Sequence, residues 1–270
     1  MLDGAVVALV ALVAGTGIGH AAALGASMTL LQFAIGALND VVDAPRDAGH
    51  KPGKPIPAGL VSIREGRAVV AASALAGLVL SLAGGAWTLV LAIVVLAIGA
   101  AYDLRAKGTT LSWLPFAAGI PLLPVYGWLG ATGSLPGVFL ILVPAAANAG
   151  TALAISNAIV DVERDEDAGT GSIAIALGPG RAAVLVLVLQ LVVAGLALAT
   201  AVVLHAPSGW LAAIVAAAAV PVGGAVIGLV AATRVEVGWR ELAWEIQAVG
   251  TGLLAVAWLA GLSAAAPAAI

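Results

Sequence analysis

Long apolar stretches separated by short polar connections make up most of this 270-residue chain. A helix that crosses the hydrocarbon core of a bilayer needs about 20 mostly apolar residues. The stretches lie at roughly 3–16, 20–42, 65–84, 86–103, 111–131, 136–160, 180–204, 209–232 and 243–264. They predict an all-α membrane protein with about nine transmembrane helices in one bundle, organised as a single polytopic domain over residues 1–270.

The composition excludes other classes of protein. Only 9% of the residues are charged and 62% are hydrophobic, whereas a soluble domain carries about 25% charged residues. A transmembrane β-barrel is disfavoured because the apolar stretches are continuous rather than alternating. The chain has no cysteine, which excludes disulfides, thiolate catalysis and cysteine-based metal sites.

The basic residues predict the topology. All 11 lie in the connections after predicted spans 2, 4, 6 and 8: Arg46, Lys51, Lys54, Arg64, Arg67, Arg105, Lys107, Arg164, Arg181, Arg234 and Arg240. The positive-inside rule makes this side cytoplasmic, so we expect a multi-pass protein of the cell membrane with a cytoplasmic N-terminus and an external C-terminus. We interpret four of these residues as topological rather than catalytic: Arg64, Arg67, Arg234 and Arg240.

The acidic residues lie on the same predicted side. Thirteen of the 14 Asp and Glu residues fall in or beside these four connections, and Asp3 lies at the predicted cytoplasmic N-terminus. Acidic residues have no comparable topological reason to choose a side, because the rule depends on Lys and Arg. The concentration of both acidic and basic residues on one side therefore predicts an active site at the cytoplasmic side.

A first acidic cluster follows the second apolar stretch. It contains Asn39, Asp40, Asp43 and Asp47. A helix would place Asn39, Asp40 and Asp43 on one face, because residues three and four apart are neighbours on a helix surface. Pro45 disfavours a helical conformation at the residue before it. We therefore expect Asp47 to come from a broken turn or from the start of a new helix.

A second acidic cluster follows the sixth apolar stretch, about 120 residues further on. Asn157, Asp161 and Asp165 recur at four-residue intervals, which would align them as one stripe on a helix. Both clusters thus begin with an asparagine and lie at the end of an even-numbered predicted span.

Carboxylates grouped without nearby Cys or His are typical ligands of a hard cation such as Mg²⁺, which also bridges to substrate phosphates. Two such clusters could hold two or more metal ions around a diphosphate and stabilise charge on its leaving oxygen. Asn39 and Asn157 would ligate or orient the carboxylates. Basic residues near the clusters would hold the remaining phosphate oxygens: Lys51, Lys54, Arg105 and Lys107.

These residues resemble the motifs of the UbiA superfamily of intramembrane prenyltransferases. The family's first motif, NDxxDxxxD, is matched in full by Asn39, Asp40, Asp43 and Asp47, and residues 51–59 look like its basic, proline-containing stretch. In some branches of the family the second motif has the form NDxxDxExDxxxGxxT, which resembles the pattern of Asn157, Asp161, Glu163, Asp165, Gly169 and Ser172. Ala158 departs from this motif, Ser172 replaces its Thr, and Arg164 stands where Gly is common. Residues 102–107 resemble the family's YxxxxK connection between spans 4 and 5.

The resemblance implies nine transmembrane helices and a Mg²⁺-bound allylic prenyl diphosphate, which ionises to an allylic cation that an acceptor captures. It implies metal ligation by Asp40, Asp43, Asp47, Asp161 and Asp165. It implies catalytic roles for Asp40, Asp43, Asp161, Asp165 and Lys107. It implies diphosphate binding by Asn39, Lys51, Lys54, Tyr102, Arg105 and Asn157.

Several functions remain open at this point. The acceptor could be aromatic or lipid-like, and a membrane terpene cyclase of the same superfamily would use the same metal site without an acceptor. A metal-gated transporter is disfavoured, because the predicted span interiors carry almost no ionisable residue. We expect a prenyl diphosphate, a hydrophobic acceptor and membrane lipid as partners, and neither nucleic acid nor an obligate protein partner.

The absence of native cysteine permits a direct test of the predicted topology. A cysteine introduced at Ser134 should react with a membrane-impermeant thiol reagent added outside intact cells, because this connection is predicted to be external. A cysteine at Thr109 should react only after the membrane is permeabilised. External labelling at position 109 would reverse the assignment of the charged side.

Overall fold

The computed structural model describes residues 2–47, 53–232 and 237–265, and every regular element in these ranges is helical. Twelve α-helices follow one another along the chain: α1 (Leu2–Val13), α2 (Ile18–Asp47), α3 (Ile63–Ser81), α4 (Ala86–Ala101), α5 (Leu114–Gly119), α6 (Leu122–Thr132), α7 (Phe139–Val160), α8 (Val162–Asp167), α9 (Ile173–Leu177), α10 (Pro179–Val203), α11 (Ser208–Ala232) and α12 (Val237–Ser263).

The prediction of an all-α membrane protein is confirmed. In the described part of the chain, eight helical segments are long and apolar enough to cross a membrane. The fourth of these, Leu114–Thr132, consists of α5 and α6 together. The first predicted span, residues 3–16, corresponds to α1, whose 12 residues are fewer than the about 20 that a span requires.

The helix α2 is longer than the sequence predicts. It runs through Pro45 without interruption and ends at Asp47, so the expected broken turn before Asp47 is wrong. Proline lacks the N–H that would bond four residues back, but this loss affects only one hydrogen bond close to the helix end. Asp40, Asp43 and Asp47 consequently belong to one continuous helix.

One compact unit comprises Met1–Arg105 and Tyr126–Gly133. Within it, α2 packs against α1, α3 and α4. A Cβ at Gly77 of α3 would meet the Leu31 side chain at 2.8 Å, so these two helices approach closely. The hydroxyl of Ser27 donates to the Gly77 carbonyl at 2.7 Å and lies 2.7 Å from the hydroxyl of Tyr126, which satisfies buried polar groups.

The other compact unit comprises Ala106–Val125 and Ser134–Ile270. Here α7 packs against α5, α10 and α12, and α11 packs against both α10 and α12. A Cβ at Gly150 of α7 would overlap the carbonyl oxygen of Phe116 in α5, so only glycine allows this approach. The buried amide of Gln247 donates to the Ser156 hydroxyl at 2.9 Å, which links α12 to α7.

Candidate active site

The carboxylates of the first acidic cluster converge on one lysine. The Lys54 ammonium lies 2.9 Å from Asp40 Oδ1, 2.8 Å from Asp47 Oδ2 and 3.9 Å from Asp43 Oδ2. Asp43 and Asp47 are both buried. Because α2 is continuous, positions 40, 43 and 47 share one face, and the structure brings together the three aspartates and the lysine that the sequence predicts.

A short hydrogen-bonded turn holds Lys54 in place. The amide of Leu60 donates to the Pro55 carbonyl and the amide of Gly59 donates to the Ile56 carbonyl, both at 3.0 Å. Gly59 has a φ of +72°, the left-handed conformation that closes this type of turn and that glycine adopts without strain. The Pro- and Gly-containing stretch therefore fixes the backbone that carries the lysine.

Electrostatics explain why a cation lies here. The three carboxylates occupy the C-terminal turns of α2, where the helix dipole is also negative. Burial lowers the pKa of the Lys54 ammonium, but hydrogen bonds to Asp47 and Asp40 outweigh burial, and the net result is a raised pKa. Lys54 therefore stays protonated and partly neutralises the aspartates.

The donor set of this cluster fits a hard divalent cation. Carboxylate oxygens are the ligands that Mg²⁺ uses in proteins, and three of them surround a positive charge in this structure. Among the described residues, no three Asp, Glu, His or Cys side chains are grouped so that they could hold a metal ion as they stand. The ammonium of Lys54 instead lies at the point where the carboxylates converge, so a metal ion would have to take its place.

Asn39, the first residue of this cluster, is held by a residue for which the sequence analysis predicts no role. Its side-chain amide donates to Asp103 Oδ1 at 2.8 Å. Asp103 is buried and lies in a π-helical turn, Tyr102–Ala106, that follows α4. Such turns are frequent at functional sites. The only signal in the sequence is an acidic residue at the end of a span, which does not by itself specify a partner 64 positions away.

A cavity of about 670 Å³ adjoins the first cluster. Gln32, Asn39, Asp40 and Lys54 form its polar part. Its apolar lining residues are Phe33, Gly36, Ala37, Pro55, Ile56, Val61, Gly66 and Val69. Phe33 and Val69 are exposed on the apolar surface. The cavity thus combines a charged end with a hydrophobic wall.

The second acidic cluster lies at a break between two helices. The helix α7 ends at Val160, Asp161 has φ −97° and ψ 6°, and α8 begins at Val162. The amide of Asp165 still donates to the Asp161 carbonyl at 2.9 Å, so the predicted four-residue spacing is kept across the break. The Asp161 carboxylate pairs with Arg164 at 2.8 Å.

Two small residues after the second cluster have conformational roles. Gly169 has a φ of +64° and terminates α8, where the amide of Thr170 donates to the Asp165 carbonyl at 2.9 Å. Ser172 caps α9, because its hydroxyl accepts a hydrogen bond from the Ile175 amide. A serine can make the same cap as the threonine of the family motif.

The connection after α4 reaches the second cluster through Lys107. The Gly171 amide donates to the Gly108 carbonyl at 3.0 Å, and Lys107 interacts electrostatically with Asp165. Burial, followed by repulsion from Asp161, raises the pKa of Asp165 above its ordinary value, although the charge of Lys107 acts in the opposite direction. The structure therefore brings Lys107 near Asp165.

The remaining predicted residues differ in their exposure. Tyr102 is half-buried in the π-helical turn, and Arg105 is exposed in the same turn. Asn157 is half-buried on the last turns of α7. Lys51 lies outside the described residues.

Arg240 has a partner that the sequence analysis does not predict. We interpret it from the sequence as topological rather than catalytic, and in the structure it is buried near the start of α12 and contacts Glu163 in α8 at 2.7 Å. The sequence offers no signal for this pairing, because the two residues are separated by 77 positions.

These features define a polytopic helical membrane protein with an Asn-led acidic cluster beside an amphipathic cavity. The model of the UbiA prenyltransferase family matches residues 4–241, so the chain belongs to this family. No curated protein matches the sequence.

Solved structures with the same fold include three informative examples. A structure described as digeranylgeranylglyceryl phosphate synthase has a TM-score of 0.72 at 16% identity, covering 96% of this chain and 91% of the other. An apo UbiA homologue from Aeropyrum pernix K1 has a TM-score of 0.72 at 21% identity, covering 94% and 95%. A UbiA homologue from Archaeoglobus fulgidus bound to GPP and Mg²⁺ has a TM-score of 0.69 at 16% identity, covering 93% and 95%.

The contact between Asn39 and Asp103 can be measured by a double-mutant cycle. Asp103→Ala leaves the Asn39 amide without this acceptor, and the loss of a buried hydrogen-bond partner costs about 1–3 kcal/mol. We expect Asn39→Ala and Asp103→Ala each to lower the unfolding temperature in detergent, and the double variant to lower it by less than the sum of the two. Fully additive losses would show that the pair is not coupled.

Proposed function

We propose that this protein transfers a prenyl group from an allylic prenyl diphosphate to a hydrophobic acceptor, aromatic or lipid-like, and that it does so as a single polytopic domain of the cell membrane. The convergence of Asp40, Asp43 and Asp47 on the Lys54 ammonium, at the edge of an amphipathic cavity, is the observation that carries this proposal. Membership of the UbiA prenyltransferase family and the relative bound to GPP and Mg²⁺ support it.

We assign Mg²⁺ as the cofactor on the chemistry of the donors. Asp40, Asp43 and Asp47 would hold it in the first motif, and Asp161 and Asp165 would do so in the second. When bound, Mg²⁺ supplies positive charge that favours departure of the diphosphate. Asn39 and Asn157 would orient neighbouring carboxylates, and the first of these amides is itself held by Asp103.

Lys54 has a role in both the free and the substrate-bound protein under this proposal. In the free protein its ammonium limits repulsion among the aspartates. With a diphosphate bound, the Lys54 ammonium would contact phosphate oxygens instead of the carboxylates, because both are suitable acceptors for a charged donor. Lys51 and Arg105 would contribute further positive charge, and Tyr102 would supply a hydroxyl.

The cavity beside the first motif is suited to an amphipathic substrate. The diphosphate would lie at Asn39, Asp40 and Lys54, and the start of the isoprenoid chain would follow the apolar wall that includes Phe33 and Ile56. Burying the chain in this way removes apolar surface from water. It also keeps water, an unwanted nucleophile, away from the reacting carbon.

The reaction breaks the allylic C–O bond, and the diphosphate leaves with the bonding electrons. A nucleophilic atom of the acceptor then forms a new bond to the allylic carbon and loses a proton. We propose Lys107 as a catalytic residue that stabilises negative charge near Asp165, on the basis of their electrostatic interaction. A cyclase would instead quench the cation within the isoprenoid, and product analysis by mass spectrometry with and without acceptors separates these outcomes.

Turnover of a prenyl diphosphate should depend on Mg²⁺ and on both acidic motifs. We expect Asp43→Asn and Asp161→Asn to remain folded in the membrane but to lose activity by orders of magnitude, because each removes a proposed metal ligand. The double variant should lose far less than the product of the two single losses, because the residues act as a unit. The measurement is a Mg²⁺ titration of diphosphate release.

Asp167→Asn provides the matched control for this titration, since Asp167 is an exposed carboxylate at the end of α8 that has no assigned role. It should titrate like the unmodified protein. Full activity of either single variant at ordinary Mg²⁺ would remove that motif from the site, and activity after complete chelation would refute the metal mechanism.

Lys54→Ala should impair use of the prenyl diphosphate and not of the acceptor. Loss of a hydrogen bond to a charged group costs about 1.5–3 kcal/mol, so we expect kcat/KM for the prenyl diphosphate to fall by roughly 10- to 100-fold. Arg67→Ala, which removes an exposed positive charge from α3, is the control. A change confined to the acceptor KM would contradict the assignment.

A further inference from the structure

The helix α8 carries the second motif but cannot define its own position. It has only six residues, Val162–Asp167, and isolated helices shorter than about 12 residues are marginal in water. Five of its six residues have acidic or basic side chains that are at most half-buried, and Val162 is its one fully buried member. The position of Asp165 therefore depends on how this short helix is attached to the longer ones.

Arg240 makes this attachment. Its Nη1 donates to both carboxylate oxygens of Glu163, at 2.7 and 2.9 Å, and lies 3.4 Å from the Ile159 carbonyl. Its Nε donates to the Ala231 carbonyl at 3.3 Å, and its Nη2 lies 3.5 Å from the Ala232 carbonyl. One guanidinium thus joins α8 to the C-terminal ends of α7 and α11.

The surroundings of Arg240 favour this geometry energetically. The carbonyls at the C-terminal end of a helix lack intrahelical partners and carry partial negative charge, so a cation there is stabilising. The Arg240 side chain is only 4% exposed, and a buried guanidinium requires an opposite charge, which Glu163 provides.

We propose that Arg240 is a positioning residue that acts through Glu163 to set where Asp161 and Asp165 present their carboxylates. Glu163 lies two residues from each of them, in the first turn of α8 just after the break that separates it from α7. Arg240 itself touches neither metal nor substrate in this scheme. The inference rests on the proposed function, because it assigns Asp161 and Asp165 the role of metal ligands.

The test measures metal binding directly in the full-length protein purified in detergent. Mn²⁺ replaces Mg²⁺ as a spectroscopic probe, and its binding in the presence of inorganic diphosphate is followed by electron paramagnetic resonance. We expect Glu163→Gln, which keeps the size of the side chain but removes its charge, to weaken Mn²⁺ binding by about 10- to 100-fold, as is usual when an outer-shell partner of a metal site is lost.

Glu166→Gln is the matched control, because it removes the same charge from an exposed position of the same helix. Its Mn²⁺ affinity should stay within about twofold of that of the unmodified protein. This change is much smaller than the loss expected for Glu163→Gln. Equal weakening of Mn²⁺ binding in both variants would show that only the loss of one negative charge matters, and it would overturn the proposal. Unchanged binding in Glu163→Gln would also overturn it.

Arg240→Lys keeps the charge but cannot reach all these acceptors at once. We expect the folded fraction of this variant to bind Mn²⁺ more weakly than the unmodified protein does. Thermal unfolding of the same sample quantifies that folded fraction. A lowered unfolding temperature with unchanged Mn²⁺ affinity would mean that Arg240 has a structural role only. Failure of the unmodified protein to bind Mn²⁺ with diphosphate would instead refute the proposed function, so the two failures are distinguishable.

Discussion

The arrangement of this protein depends on where ionised side chains can be placed in a chain made largely of membrane-spanning helices. A charge within hydrocarbon is costly, and the acidic motif residues accordingly lie at the ends of helices rather than at their centres. At the end of α2, however, three carboxylates meet the negative end of the helix dipole. The ammonium of Lys54 lies among these carboxylates and compensates their negative charge.

The two acidic motifs are stabilised in different ways within their own parts of the molecule. The first lies on a long continuous helix, and its cation comes from a nearby turn that Gly59 closes. The second lies at a helix break on a six-residue helix, which Arg240 connects to longer helices. The first motif therefore needs mainly charge compensation, whereas the second needs its position to be fixed.

Both motifs also depend on partners that are distant in the sequence. Asp103 accepts a hydrogen bond from Asn39, and Arg240 pairs with Glu163. Buried polar groups of this kind are costly when they lose a partner. These contacts connect the packing of the helix ends to the geometry of the residues for which we propose metal binding.

Much of the fold and part of the site could be predicted from local sequence patterns. Apolar length determined the helices, and the spacing of Asp40, Asp43 and Asp47 placed them on one face. The prediction of a break at Pro45 was wrong, because a proline near the end of a helix removes only one hydrogen bond, which the surrounding structure tolerates.

The sequence by itself determined which residues make up the two acidic motifs and which segments are helical, because hydrophobicity and helical spacing are local properties that act over a few turns. Only the tertiary structure decided that Lys54 lies among the aspartates, that Asn39 donates to Asp103, and that Arg240 pairs with Glu163. Those pairings depend on how the helices pack. Packing brings together residues that are far apart along the chain, and such pairs leave no periodic pattern in the sequence.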